Sequence, residues 1–343
     1  MALYLGLLIF SFIFTGVLVV PFINLLYKLK FQRFEQRPQD KKTTGESLFY
    51  KLHRVKAGTP VGGGLLIIII VSLLYALLFP LLSYLGVYIS AAFPIKDELN
   101  IIFFTFISFG LLGFYDDVMK FFGLAKQGIY GLRTRHKFLL QWILAFTIAF
   151  MLYQNLKINF IYVPFLGIFR LGIWYIPFAA FTIVAFTNAF NITDGLDGLS
   201  CGLLTICLLA FWILSHTMFD TVLSVFIPLW IGALIAFLYF NVYPARIFLG
   251  DVGALSFGAT LAVIGLLLGK IVAVGVIGGF FILEVGSSLL QIIAIRVFSR
   301  RIFTIAPFHL WLQARGWEEP KIVMRAWLAQ LMLAIFGLWL AVI

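Results

Sequence analysis

Long uninterrupted apolar runs constrain the fold of this chain more than any other feature. Ten can be counted, each about 17 to 25 residues long, the length that a helix needs to cross the hydrocarbon of a bilayer. Hydrophobic residues make up 63% of the 343 positions and charged residues 11%, which no water-soluble fold could accommodate. The sequence predicts an all-α, polytopic integral membrane protein with about ten transmembrane helices in a single domain, 1–343. The predicted spans are 3–27, 61–82, 99–115, 137–154, 173–190, 199–216, 222–240, 254–271, 273–296 and 323–343.

Two segments need their own interpretation. The first run has no basic n-region and no small-residue cleavage site, so we expect a retained span and not a signal peptide. Residues 156–172 contain short β-prone pieces around a Pro and a Gly, and predict a small hairpin on the far side of the membrane.

Basic residues are distributed very unevenly between the two sets of loops. One set carries 19 Lys and Arg, and the opposite set only Lys96, Lys157, Arg170 and Lys270. The positive-inside rule places the richer set in the cytoplasm and both chain termini on the extracytoplasmic side. The resulting cytoplasmic loops, about 28–60, 116–137, 191–198, 241–253 and 299–322, are expected to form the active site.

Five of the eight aspartates lie in three short polar islands, each directly after an apolar run. Asp116 and Asp117 form the first island, Asp194 and Asp197 the second, and Asp251 the third. A carboxylate beside a membrane is costly unless it binds a metal, a counter-charge or a polar substrate. The pattern therefore predicts a site at the membrane surface, built around a divalent cation.

The residues around these aspartates suit particular ligands. In YDDVMK, adjacent carboxylates at a helix end favour Mg²⁺, and Lys120 can balance them or hold a phosphate; a solvated acidic helix end is the alternative. NITDGLDGLS offers glycine amides beside polar side chains, and GDVG places Asp251 in a glycine-flanked turn. Phe248 is an aromatic platform or a packing residue, and Lys56 enters a glycine-rich turn.

Several motifs together resemble one known family. KAGTPVGGG, GFYDDVMK, GLRTRHK, NAFNITDGLDGL, FNVYPARIFLGDVG, EVGSSLLQ and RIFTIAPFH followed by GWEEPKIVMRAW extend from Lys56 to Trp327. In combination they resemble the phospho-N-acetylmuramoyl-pentapeptide transferase family, in the superfamily of polyprenyl-phosphate N-acetylhexosamine-1-phosphate transferases.

The resemblance implies a reaction and a set of site residues. The reaction is Mg²⁺-dependent transfer of phospho-MurNAc-pentapeptide from UDP-MurNAc-pentapeptide to undecaprenyl phosphate at a bacterial inner membrane, giving lipid I and UMP. Membrane lipids are partners, nucleic acid is not, and the family allows a homodimer. Catalytic and metal-binding roles fall on Asp116, Asp117 and Asp251, with Asp251 as the direct ligand. Substrate-binding roles fall on Lys56, Lys120, Asn191, Asp194, Gly195, Leu196, Asp197, Asn241, Phe248 and His309.

The chain departs from the family pattern in two places. Val61 and Gly62 replace a Thr-Met pair, and Leu310 and Trp311 replace the second and third of three consecutive histidines. We therefore expect His309 alone to keep a substrate role, and Trp311 to pack at the membrane interface.

Two other functions are compatible with the sequence. A related transferase would use another UDP-N-acetylhexosamine for a wall or surface polymer. A transporter would place charged residues near the middle of spans and often show repeats; Glu284 is the only acidic residue well inside a span, and the chain has no internal repeat. Glu284, Ser287 and Gln291 share one helix face, which we expect to point into the bundle.

The mechanism is open at this level. Both direct attack by the lipid phosphate and a covalent aspartyl-phosphate intermediate are compatible with the sequence.

Overall fold

The computed structural model describes residues 2–32, 56–121 and 134–343. The basic residues between 33 and 55 and between 122 and 133, which contribute to the predicted orientation, lie outside these ranges. The described helices are α1 (Ala2–Lys28), α2 (Gly63–Tyr84), α3 (Ile95–Phe121), α4 (Thr134–Gln154), α5 (Tyr175–Thr193), α6 (Leu199–Thr217), α7 (Thr221–Asn241), α8 (Gly250–Leu267), α9 (Ile271–Ile277), α10 (Gly279–Phe298), α11 (Phe308–Ala314) and α12 (Glu319–Val342).

Ten of these helices are long and apolar enough to cross a membrane, which confirms the predicted number of spans. The ninth span is placed differently from the prediction. The apolar run 273–296 is not one helix, because the chain breaks at Gly278 between the short helix α9 and the spanning helix α10. A Cβ at Gly278 would lie 2.7 Å from the Phe186 ring, so this break sits directly against α5.

Helices α7 and α8 form the centre of the bundle. In each, 89% of the most apolar 18-residue window is buried within the protein. Helix α7 packs against α1, α2 and α6, whereas α8 packs against α2, α3 and α5. Peripheral helices such as α1 bury only a narrow face, so the remaining apolar side chains are left for lipid.

Small residues let α8 approach its neighbours closely. A Cβ added to Gly64 would lie 2.3 Å from Cα of Gly253, and one added to Gly113 would lie 2.1 Å from the carbonyl oxygen of Asp251. Close backbone approach at glycines is the usual way in which membrane helices gain packing energy. In this protein it also positions an acidic residue, Asp251, against α3.

The predicted hairpin is present between α4 and α5. Strands β1 (Phe160–Val163) and β2 (Gly167–Arg170) pair antiparallel and are followed by a short 3₁₀ turn over Gly172–Trp174. The ammonium group of Lys270 lies 3.8 Å from the centre of the Tyr162 ring, which ties the hairpin to the link between α8 and α9.

The polar islands all lie at the opposite end of the bundle from the hairpin. Helices α1, α3, α5, α7 and α10 end there, and α2, α4, α6, α8 and α12 begin there. Contacts across this end include backbone bridges between Gln32 and Pro60 and between Val61 and Phe248. Helix order alone therefore brings all three aspartate islands to one surface, as predicted.

Substituting Gly113 tests the close approach of α3 and α8. Gly113→Ala should lower the free energy of unfolding by about 1–3 kcal/mol, because the new methyl group must displace the Asp251 backbone. Thermal unfolding of the purified protein in detergent measures the effect.

Gly286→Ala is the matched control, because a Cβ at Gly286 meets no atom within 4 Å. It should leave stability unchanged or raise it by about 0.5–1 kcal/mol, since alanine favours helix. Equal unfolding temperatures for the two variants would contradict the proposed packing.

Candidate active site

A compact cluster of carboxylates and ammonium groups lies where α3, α4 and α8 meet. Lys120 Nζ lies 3.0 Å from Asp116 Oδ2 and 2.5 Å from Asp251 Oδ2. Lys137 Nζ contacts the same two oxygens at 3.0 and 2.5 Å. Asp116 Oδ2 and Asp251 Oδ2 therefore face the same two ammonium groups, those of Lys120 and Lys137.

Asp117, unlike Asp116, bonds mainly to the backbone of α8. Its Oδ2 accepts the N–H of Val252 at 3.1 Å, while Lys120 Nζ is 3.8 Å from its Oδ1. The first amides of a helix have no intrahelical acceptor, and a carboxylate there is favoured by the helix dipole. Asp117 thus fixes the start of α8, and with it Asp251, against α3.

The secondary structure around the cluster corrects one expectation. Asp251 lies in the first turn of α8 and not in a glycine-flanked turn, and Asp116 and Asp117 lie inside the last turns of α3. Asn191 likewise belongs to α5. The predicted loops therefore supply only part of this site, because the helices extend past their apolar runs into the polar islands.

The donor set of the cluster fits a hard divalent cation in its chemistry. Within the described ranges, no three His, Cys, Asp or Glu side chains are arranged to hold a metal ion. Asp116 Oδ2 and Asp251 Oδ2 nevertheless contact the same cationic groups within 3.0 Å. Mg²⁺ commonly takes one or two protein carboxylates and completes its shell with water and substrate phosphates. Two carboxylate oxygens that already share a positive charge meet that requirement.

The second island continues from this cluster. Asn191 donates from Nδ2 to Asp251 Oδ1 at 2.9 Å, so both carboxylate oxygens of Asp251 are engaged. Asp194 Oδ1 accepts the hydroxyl proton of Ser200 at 2.5 Å, at the start of α6. Leu196 is only 4% exposed and packs into the core. Any contribution of Leu196 to binding must therefore come from its backbone.

A separate ion network lies beside Asp197. Lys56 Nζ contacts Asp197 Oδ1 at 2.7 Å and Glu319 Oε1 at 2.6 Å, and the amide of Asp197 donates to the same Glu319 oxygen at 2.6 Å. Asp197 Oδ2 accepts the N–H of Ala245 at 2.9 Å. This network joins the segment before α2, the α5–α6 link, the α7–α8 link and the start of α12.

The Lys56 network lines a cavity of about 490 Å³. Its walls also carry the rings of Phe248, Tyr243 and Trp317. Phe248 is held by backbone hydrogen bonds to the segment before α2, because its N–H donates to Pro60 and its carbonyl accepts from Gly62 and Gly63. Since Phe248 is three residues before Asp251, the cavity and the acidic cluster share one short segment.

Asn241 does not line the cavity; its side chain joins two of the links that surround it. Its Oδ1 accepts the N–H of Gly198 at 3.2 Å, and its Nδ2 donates to the carbonyl of Ile247 at 2.9 Å. The side chain therefore holds the α5–α6 link beside the α7–α8 link, which shapes the cavity from behind.

His309 is buried against the second island. Its Nδ1 lies 2.9 Å from Glu284 Oε2, and both side chains are almost completely buried. A Cβ at Gly195 would lie 2.5 Å from His309 Nε2, so the imidazole packs directly on this glycine. The expected inward face of α10 is confirmed, since Glu284, Ser287 and Gln291 are all buried. Trp311 stacks with Arg315, whose guanidinium lies 4.0 Å from the ring centre.

The sequence did not predict a role for two residues of the site. Lys137 is one of the basic loop residues and ends the GLRTRHK motif. Glu319 is the second glutamate of GWEEPK, at the start of an apolar run. A lone lysine or glutamate at a helix start carries no distinctive pattern, so motif membership was the only available signal.

Comparison with known proteins shows which family the chain belongs to. A family model described as glycosyl transferase family 4 matches residues 99–269. The chain is 33% identical over 334 residues to a phospho-N-acetylmuramoyl-pentapeptide-transferase of Clostridium botulinum, covering 97% of this chain and 95% of that protein. Enzymes of the same name from Clostridium perfringens and Thermodesulfovibrio yellowstonii are each 34% identical, over 92% and 96% of this chain and 92% and 90% of theirs. The chain therefore belongs to the phospho-N-acetylmuramoyl-pentapeptide-transferase family, a family of transferase enzymes.

Proposed function

We propose that this protein transfers phospho-MurNAc-pentapeptide from UDP-MurNAc-pentapeptide to undecaprenyl phosphate in a Mg²⁺-dependent reaction that forms lipid I and releases UMP. Relatives at 33–34% identity over nearly the whole chain carry the name of this transferase. The observation that supports the proposal most directly is the cluster of Asp116, Asp251, Lys120 and Lys137. It combines carboxylate oxygens with two ammonium groups next to a cavity large enough for a nucleoside.

Charge repulsion is the first barrier that this reaction must overcome. Both substrates are anionic, one a diphosphate and one a lipid phosphate. The ammonium groups of Lys120 and Lys137 are held by Asp116 and Asp251 in positions from which they can bind phosphate oxygens. Mg²⁺, when bound, supplies further positive charge to the phosphates. Asp251 and Asp116 would hold it, with Asp117 fixing the start of α8.

The nucleophile needs little activation. A phosphomonoester has its second pKa near about 6, so the lipid phosphate is mostly dianionic at pH 7. Its oxygen attacks the phosphorus that carries the sugar, and the bond from that phosphorus to the UMP oxygen breaks with its electron pair leaving on UMP. Positioning and charge neutralisation by the protein are then the main catalytic contributions.

We propose that the site faces the cytoplasm of a bacterial inner membrane and that both termini lie outside. Support comes from the 19 basic residues in the loops at this end, against four at the other. UDP-linked substrates are cytoplasmic metabolites in this scheme, so the cavity must open on that side.

A direct assay tests the proposed reaction. Purified protein is incubated with Mg²⁺, undecaprenyl phosphate and either UDP-MurNAc-pentapeptide or UDP-GlcNAc, and UMP release is followed. UMP release with the first sugar nucleotide and its loss with excess chelator are expected. Turnover with UDP-GlcNAc alone would instead favour the related transferase for another polymer.

Asp251→Asn tests the cation-binding role. The amide keeps the shape of the side chain but removes the charge that both lysines and the metal ion require, so turnover should fall by about 10³-fold or more. Steady-state kinetics over a Mg²⁺ series provide the measurement. Near-normal, Mg²⁺-dependent activity in a folded variant would contradict the assignment.

Phe248→Ala tests the aromatic wall of the cavity. Base–aromatic stacking is worth about 1–3 kcal/mol, so affinity for UDP-sugar and for uridine-based inhibitors should fall together by about 5- to 150-fold. Phe181→Ala is the matched control, because Phe181 is 62% exposed on α5 and lies away from the cavity wall. Unchanged affinity for both ligands would mean that the Phe248 ring only packs.

His309→Ala tests the remaining histidine. A hydrogen bond to a charged group contributes about 1.5–3 kcal/mol, so losing the imidazole should reduce kcat/KM about tenfold or more. Leu310→His adds an imidazole at the next position, but Leu310 is 5% exposed and packs inward, so no gain is expected. Full activity of the alanine variant would show that His309 does no catalytic work.

A further inference from the structure

Glu319 presents an unused acceptor to the cavity. Its side chain is only 9% exposed, and its Oε1 accepts hydrogen bonds from both Lys56 Nζ and the Asp197 amide. No donor among the described residues bonds to its other oxygen, Oε2. Because Glu319 lines the cavity, a ligand that enters it can donate a hydrogen bond to this oxygen.

Lys56 places a donor next to this acceptor. An ammonium group has three N–H bonds, of which Asp197 and Glu319 take two. No other acceptor among the described residues bonds this group, so its third N–H can serve a ligand acceptor. Because Lys56 and Glu319 are in contact at 2.6 Å and both line the cavity, they offer a donor and an acceptor side by side.

The charge and the walls of the cavity narrow the class of ligand further. One lysine and the three carboxylates of Asp197, Glu318 and Glu319 give the cavity wall a formal net charge of −2, which disfavours a phosphate here. The rings of Phe248, Tyr243 and Trp317 favour a flat ligand group. The complementary group is a neutral planar ring whose edge carries an N–H beside a carbonyl.

We propose that Glu319 determines base specificity, by accepting the N3–H of uracil while Lys56 donates to the neighbouring carbonyl. This inference rests on the proposed use of a uridine nucleotide. Cytosine has a lone pair at N3 instead of a hydrogen, so the carboxylate would repel it. The diphosphate then extends towards Lys120 and Lys137, past the segment that joins Phe248 to Asp251.

Binding of UDP and CDP tests the proposal. Isothermal titration calorimetry on the full-length protein in detergent with Mg²⁺ compares the two ligands in the wild type and in Glu319→Ala. The wild type should bind UDP about 30-fold or more tightly than CDP, since one strong hydrogen bond is replaced by repulsion. In Glu319→Ala this ratio should fall below about fivefold, because neither base then meets the Glu319 carboxylate.

Two further variants separate selection from general damage. Glu319→Gln keeps the shape of the side chain, and its amide can donate to cytosine N3, so the UDP-to-CDP ratio should fall in this variant too. It provides the test if Glu319→Ala does not fold. Arg315→Ala removes a charge from an exposed residue close in sequence that does not line the cavity, and should leave the UDP-to-CDP ratio unchanged.

The outcomes distinguish this inference from the proposed function. Failure of the wild type to bind either nucleotide would overturn both. UDP binding with no preference over CDP, or a preference retained in both Glu319 variants, would overturn the role of Glu319 and leave the transferase reaction standing.

Discussion

The close approach of α3 to the start of α8 is the constraint on which the rest of the site depends. Gly113 allows the Asp251 backbone to lie against α3, and Asp117 accepts the amide of Val252 at the same place. Asp251 is then held 2.5 Å from both Lys120 and Lys137. A charge at the edge of a membrane is costly unless it is paired. The approach of α3 to α8 therefore also determines where Asp251 finds its ammonium partners.

The two polar networks differ in their balance of charge. The cluster at Asp251 has two ammonium groups and suits phosphates, whereas the network of Lys56, Asp197 and Glu319 has excess negative charge and suits a neutral group. A uridine nucleotide carries both kinds of group, a neutral base and a charged diphosphate. The segment from Phe248 to Asp251 joins the networks, and its hydrogen bonds to Pro60, Gly62 and Gly63 keep their separation constant.

The intramembrane carboxylate Glu284 is part of this arrangement. An acidic side chain inside a span is costly, and such residues usually mark function or find a partner. Glu284 bonds the Nδ1 of His309, and the same imidazole packs on Gly195 in the second island. Glu284 thus supports the end of the bundle at which the aspartate islands lie.

The sequence by itself determined the number of spans, the far-side hairpin and the common side of the aspartate islands, because apolar length and turn residues act locally. Asp116, Asp117 and Lys120 are also close in sequence, within about one helical turn, so their proximity could be predicted from the sequence. Only the tertiary structure decided that Asp251 is helical, that Lys137 completes its cluster and that Glu319 binds Lys56. Those partners are 114 and 263 residues apart in the chain, and contacts at such separation arise from helix packing, which leaves no local pattern.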